Sequence, residues 1–465
     1  MAGLLIRGGT VVSAKESFRA DVVVRDGRIE RIDREPPATV PDGQVVIDAT
    51  DLLVLPGCVD VHTHTRIGTD AEPDRFYQDS VAAAFGGTTS FLSFNTPSSD
   101  SSAAAARSLV AGMREWRAAT DGDSAIDYGL SVVLRGGLAD PVAELPAVVD
   151  AGVPTAKAFM VYDFRLPDAV LYQAMGELGR LGGMLQVHCE DPVLIDTAVA
   201  SALQGGNTAP RFHAITRSRE AEAVATHRAT AFARQARAPV YVVHLSCDGA
   251  LDEVRRAKRS GVRAFAETCP HYLALTSDRY QLPDAEAVRF VISPPLREAS
   301  DRDALWGGLA DGSLDVIGTD HVPDRLDREK AEAARGVPFD RISNGAPGIE
   351  TLLTIAWTEG VAAGRISRER LVDLLATTPA RLFGLRQKGA IEVGRDADLV
   401  LFDPEARRIL RATELHHTSD YTAYEGMPVR GAVRSVFVRG EPVIRDGAFV
   451  GRRGFGRFVE RSIDA

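Results

Sequence analysis

The feature that most constrains this 465-residue chain is a series of apolar, strand-like runs that recur between helical stretches from about residue 55 to 385. The runs read LLVLPGCVDVHTH, TTSFLSF, YGLSVVL, PTAKAFMVY, GMLQVHCE, VYVVHLS, RAFAETC and LDVIGTD. Between them lie segments such as SREAEAVATHRATAFARQAR, alanine-rich and periodic at 3.6 residues. Eight β/α units with apolar strands imply an α/β protein built on a parallel (β/α)8 barrel of the TIM type, with a doubly wound open sheet as the alternative. Hydrophobic residues make up 45% of the chain, enough for so large a core.

The two ends have another texture. LLIRGGTVV, ADVVVRDGRIERI and QVVIDA near the start are short strands, with a hairpin signal at Arg25-Asp26-Gly27-Arg28. AIEVGRDADLVLFD and AVRSVFVRGEPVIRDG repeat that texture near the end. Neither end alone can bury both faces of a sheet. The economical arrangement is a small β-sandwich split between the termini, residues 1–55 with 386–465, around a barrel of 56–385. The closing arm, GRRGFGRFVERSIDA, is expected either to touch another subunit or to fray.

A net charge of −10 argues against nucleic acid or an anionic membrane as the main partner. No segment approaches the roughly 20 apolar residues of a membrane helix. The start, MAGLLIRGGTVV, reads as a strand rather than a signal peptide. Cys58, Cys189, Cys247 and Cys269 show no C-x-x-C spacing and read as reduced thiols of a cytoplasmic protein.

The chemistry is written where the strands stop. VDVHTH ends on His62 and His64, LQVH on His188, YVVH on His244 and DVIGTD on Asp320. A barrel presents the C-terminal ends of its strands to one shared mouth, so these side chains can converge there. A single histidine ending a strand is usually a hydrogen-bonded core residue. Four of the ten histidines in that position, with an aspartate, form a donor set suited to Zn²⁺ and related divalent ions.

The pattern resembles the amidohydrolase superfamily, and within it the dihydropyrimidinase and hydantoinase group of cyclic amidohydrolases. VPTAKAFMVYD, SPPLR, GTDH and SNGAPGIE carry the resemblance, which spans nearly the whole chain. It implies two divalent metals per chain, Zn²⁺ with Mn²⁺ or Co²⁺ as alternatives. It also implies a CO₂-derived carbamate on Lys157 bridging them, with His62, His64 and Asp320 on one metal and His188 and His244 on the other. From its own flanks, Lys157 reads as a snorkelling or ion-paired lysine. The implied reaction is hydrolytic ring opening of a cyclic amide, a dihydropyrimidine or 5-substituted hydantoin, by metal-activated hydroxide. Asp320 would carry the proton and Tyr162 would stabilise the oxyanion. Ser293 and Asn344 match positions that hold the ring amide. The group commonly forms homotetramers, so a tetramer or dimer is expected.

Two residues point toward other rings. Arg66 follows the histidine pair as H-T-H-T-R, and Asn95 lies in SFNTPSS. Both resemble dihydroorotase residues that hold a substrate carboxylate, and ETCPHYLALT also resembles allantoinases. An acidic or ureido ring is therefore the alternative substrate, although Asp324 stands where dihydroorotases carry a histidine. The bland reading of Arg66 is a loop-bracing arginine. A non-catalytic scaffold of the same group is the other alternative, and six filled ligand positions weigh against it. His213, His271 and His321 read as structural, and the pair His416-His417 carries no assignment.

Overall fold

The computed structural model of the chain describes residues 3–35, 44–95 and 102–463. Each of the eight expected runs contributes one strand to a parallel barrel sheet. In chain order the terminal strands β1 (Gly3–Val12), β2 (Ser17–Arg25), β3 (Arg28–Asp33), β4 (Gln44–Asp48) and β5 (Leu53–Pro56) come first. The barrel strands follow: β6 (Cys58–Thr63), β7 (Thr88–Phe94), β8 (Asp127–Leu134), β9 (Thr155–Phe159), β10 (Met184–His188), β11 (Val240–Val242), β12 (Ala264–Thr268) and β13 (Val316–Ile317). They pair in sequential order from β6 to β13. Strands β14 (Leu399–Ile409), β15 (Pro428–Val438), β16 (Glu441–Arg445) and β17 (Ala448–Phe449) complete the chain.

Local chemistry explains the element borders. The alanine-rich stretch becomes a helix over Arg219–Ala236, with the Ser218 side chain capping the Ala221 N–H at 3.2 Å. The hairpin between β2 and β3 turns on Asp26 and Gly27, at φ 50° and 80°, as an Asp-Gly turn requires. LLVLPGCVDVHTH was expected as one strand and is two. It breaks at Gly57, where a Cβ would sit 2.0 Å from the Thr89 hydroxyl. The first half becomes β5 of the terminal sheet and the second becomes β6 of the barrel.

The ends of the chain join in one hydrogen-bonded sheet of nine strands. β1 is its hub. It pairs antiparallel with β2, parallel with β4 along Gly3–Arg7, and parallel with β5 at Thr10 and Val11. β14, from the far end of the sequence, pairs antiparallel with β5. Ile6, Val22 and Val54 pack in one core with Leu399, Leu401 and Phe437, so each terminus buries what the other exposes. The closing arm does not fray. It runs along the barrel of its own chain, with Tyr128 N–H bonded to Arg457 O at 3.0 Å and Val459 N–H to Tyr128 O at 2.8 Å. No helix among the described residues is long and apolar enough to cross a membrane.

A buried ionic knot ties the two parts together at the barrel face remote from the strand C-termini. Lys388 Nζ lies 2.6 Å from Asp127 at the start of β8, 2.8 Å from Asp398 and 3.0 Å from Asp396. Arg439, between β15 and β16, pairs with the other Asp127 oxygen. Removing one partner of a buried ion pair strands the others without compensation. Lys388→Met is expected to cost about 3–5 kcal/mol of stability, read as a lower midpoint of thermal or denaturant unfolding. A midpoint within a degree of wild type would show that the knot contributes nothing.

Candidate active site

The side chains at the barrel mouth meet in a continuous chain of contacts. His62 Nε2 and His64 Nε2 lie 3.0 and 3.2 Å from the same Asp320 oxygen. Lys157 Nζ is 3.4 Å from His62 Nε2. The His62 and His244 rings are 5.3 Å apart, and His244 and His188 are 4.5 Å apart. All six residues singled out in the sequence therefore form one constellation. His64, His244 and Asp320 do not sit on strands, as the sequence suggested, but just beyond β6, β11 and β13. His244 and Asp320 have φ of 38° and 49°, outside the pleat, which is why β11 and β13 stop early. Tyr162, at φ 78°, is a third non-glycine residue here in the left-handed region. Such conformations cost of order 1–3 kcal/mol each and persist where surrounding contacts over-determine them.

The neighbours that hold these groups were not anticipated. Glu267, on β12, pairs with His62 Nδ1 and accepts the Tyr241 hydroxyl at 2.8 Å. Glu190 accepts from His188 Nε2 at 2.6 Å and from Arg217 at 2.5 Å. With Nε2–H donating to Glu190, Nδ1 is the nitrogen of His188 that carries the lone pair. Asp60 accepts the Thr319 N–H at 3.1 Å and its hydroxyl at 2.5 Å. The available signal was an acid embedded in an apolar strand: Glu267 in RAFAETC and Asp60 in VDVH. Gly318 is required by closeness, because a Cβ there would lie 2.8 Å from Glu267 Oε2.

Electrostatics single out Lys157. It is completely buried and has no carboxylate in ion-pair contact among the described residues; its amine faces His62 and the rings of Phe94 and Phe159. Burial pushes its ammonium down to about 8. Asp320 keeps its charge: burial alone would raise it, but His62 and His64 hold it well below the usual carboxylate range. Burial also drives His244 well below its ordinary value and leaves its Nδ1 without a partner. The donor atoms of His62, His244 and Asp320 lie within 4.8 Å of one another. An orphaned imidazole nitrogen, an ionised carboxylate and a buried amine at this spacing fit divalent metal.

The cavity above this cluster has a volume of about 820 Å³. Tyr162 lines it with its ring 5.4 Å from His188; burial lifts its phenol to about 12, so it stays protonated as a donor. Ser293 Oγ donates to Asn344 Oδ1 at 3.3 Å, and both residues line the cavity. Lys330, fully buried, donates to the carbonyls of Val291 (3.2 Å) and Ser343 (2.7 Å) and so clamps the two segments carrying them. Asn95 lines the cavity, but its side-chain oxygen accepts the Val133 N–H at 2.9 Å; the TPSS that follows it lies outside the described residues. Arg66 also borders the cavity, with its guanidinium shared between Asp324 and Glu329.

Three of the other histidines serve the scaffold. His213 Nε2 donates to Ile292 O at 2.8 Å. His321 Nδ1 accepts the Gly348 N–H at 3.1 Å, and its Nε2 lies 3.4 Å from Asp79. His416 pairs with Glu350 at 2.8 Å and stacks on Phe85.

A (β/α)8 barrel with histidines, an aspartate and a buried lysine at its C-terminal mouth defines a class of hydrolase-type metal barrel. The amidohydrolase family model matches residues 53–443, and the chain belongs to that family. It is 39% identical to a D-hydantoinase of Streptomyces coelicolor over 98% of each chain. It is 35% identical to a D-phenylhydantoinase of Escherichia coli, again over 98% of each. Among solved structures, a dihydropyrimidinase from Brevibacillus agri superposes with a TM-score of 0.93 at 39% identity, covering 100% of this chain and 99% of that one. An L-hydantoinase from Arthrobacter aurescens superposes with a TM-score of 0.89 at 28% identity, covering 99% and 100%.

The geometry of Arg66 yields a prediction. Asp324 is fully buried, so Arg66→Ala leaves a carboxylate without its cation. Stability is expected to fall by about 1–3 kcal/mol, while the ratio of rates on acidic and neutral rings stays the same. Thermal melting and a two-substrate assay read the two effects separately. A changed ratio with unchanged melting would return Arg66 to the substrate.

Proposed function

We propose that this chain opens a cyclic amide ring, a dihydropyrimidine or 5-substituted hydantoin, by hydrolysis. The observation that carries the reading is the buried Lys157 amine against His62, with no carboxylate in ion-pair contact among the described residues, inside a cluster of histidines and aspartate. A lysine in that position is costly unless its charge is removed, and carbamylation by CO₂ converts it into an oxygen donor. In this reading His62, His64, Lys157, His188, His244 and Asp320 hold two divalent ions, Zn²⁺ first and Mn²⁺ or Co²⁺ as alternatives. Bound there, such ions lower the pKa of water and polarise the amide carbonyl.

The chain's own residues supply the remainder. Asp320, held ionised beside His62 and His64, takes the proton of the attacking water and returns it to the departing ring nitrogen. The Tyr162 hydroxyl donates to the oxygen that gains charge. Ser293 and Asn344, fixed to each other and supported through Lys330, orient the ring amide. A ring with its carboxylate held by Arg66, as in the dihydroorotase alternative, is disfavoured because Asp324 and Glu329 already neutralise that guanidinium. The identities to D-hydantoinases support a D preference. Four buried thiols support a cytoplasmic location. Exposed Val193, Leu194 and Ile215 support a homo-oligomer, a tetramer or dimer.

The test combines substrate and metal. Purified protein with excess Zn²⁺, Mn²⁺ or Co²⁺ and bicarbonate is expected to open dihydrouracil or 5-substituted hydantoins and to contain close to two metals per chain. Chelator-stripped protein should recover only when metal and bicarbonate are both supplied, and Lys157→Met should not recover. Asp320→Asn is expected to lose about 10²–10⁴ in kcat. No ring opening on dihydrouracil, hydantoins, allantoin or dihydroorotate would remove this reading.

A further inference from the structure

Three arginines line the cavity, and two of them are already matched. Arg66 meets Asp324 and Glu329; Arg75 meets Glu72 at 3.1 Å and Glu329 at 2.9 Å. Arg135 is the exception. Its Nη2 donates to the Ala106 carbonyl at 2.8 Å, and no carboxylate among the described residues makes an ion pair with it. Glu115 lines the cavity too, but its oxygens accept the Ser102 N–H at 3.2 and 3.3 Å and stay outside ion-pair contact with Arg135. The guanidinium therefore keeps most of its donors for something inside the cavity.

Sheet register fixes where that something would be. Val133 on β8 is paired in register with Lys157 on β9. Arg135 lies just past the end of β8, two residues beyond Val133; both line the cavity, and its backbone stands at most about 7 Å nearer the mouth than the level of Lys157. Val133 and Phe159 line the cavity beside them and give it an apolar wall. A ring held at the Lys157–Asp320 level can thus send a short side chain past this wall to the Arg135 guanidinium. Arginine matches a carboxylate with two parallel hydrogen bonds.

We propose that Arg135 is a specificity subsite for a carboxylate carried on the ring's side chain, two or three carbons from the ring. This rests on the ring-opening reading above and names the substrate class within it: cyclic amides with an acidic side chain, rather than an acid attached directly to the ring.

The test compares hydantoin-5-propionic acid with its neutral side-chain amide and with unsubstituted hydantoin. The wild-type enzyme is expected to prefer the acid over the amide about tenfold in kcat/KM, with the difference in KM. Arg135→Gln should bring the ratio to about one, Arg135→Lys should keep part of it, and Arg135→Glu should invert it. Melting curves check that each variant is folded. A wild-type ratio near one, or a ratio that Arg135→Gln leaves unchanged, overturns the proposal. So does an enzyme that opens unsubstituted hydantoin but neither side-chain compound. If none of the three rings opens, the ring-opening reading itself fails.

Discussion

Closure of the barrel and assembly of the site are the same set of hydrogen bonds. The seam between the last strand and the first is made by the segment after β13. Thr319 binds Asp60 through both its N–H and its hydroxyl, and the His64 N–H bonds to the His321 carbonyl at 2.7 Å. A bridge between Thr63 and His321 completes the seam. Asp320 sits between these anchors, with its carboxylate against both His62 and His64. Its backbone strain is borne by the seam, so a chain that closes its barrel has already set this carboxylate. The rest of the mouth is built onto that fixed edge.

The interior then has to balance its charges. Ionisable groups taken out of water need a partner or a different protonation state. Most have one: His62 has Glu267, His188 has Glu190, Arg297 has Glu222. Among the buried cations in ion-pair contact with no carboxylate, Lys330 and Arg461 are capped by backbone carbonyls. Among the described residues Lys157 has neither kind of cap. It faces an imidazole nitrogen and two phenyl rings, a setting that suits an amine whose charge is removed by reaction better than one that stays an ammonium ion.

How much of this could be read from the chain depended on distance along it. Strand periodicity and strand ends are local, so the eight barrel strands and the five residues His62, His64, His188, His244 and Asp320 were legible. The positive φ at His244 and Asp320 was not, because nothing nearby in sequence demands it; at Asp320 the seam does. Lys157 looked like an ordinary snorkelling lysine, since its burial depends on β6 and β10 rather than on its own flanks. Arg66 was ambiguous for the same reason. Its partners Asp324 and Glu329 lie some 260 residues away, and no local pattern distinguishes an arginine aimed at a ligand from one aimed at a distant acid.

The same division separates chemistry from selectivity. The groups proposed to activate water hang from strand ends that the seam and the barrel ladder hold rigid. The groups that would meet the ring's substituent, Phe164, Val322 and Arg135 among them, lie beyond the strands on connecting segments. Loops on a fixed scaffold can change without disturbing the core, so relatives can share the reaction while differing in the ring they accept. In this chain the loop cations differ in their availability. Asp324 and Glu329 neutralise Arg66, and Glu72 and Glu329 neutralise Arg75, which turns both arginines into braces. Arg135, above the apolar wall of Val133, is the cation those acids leave facing the cavity.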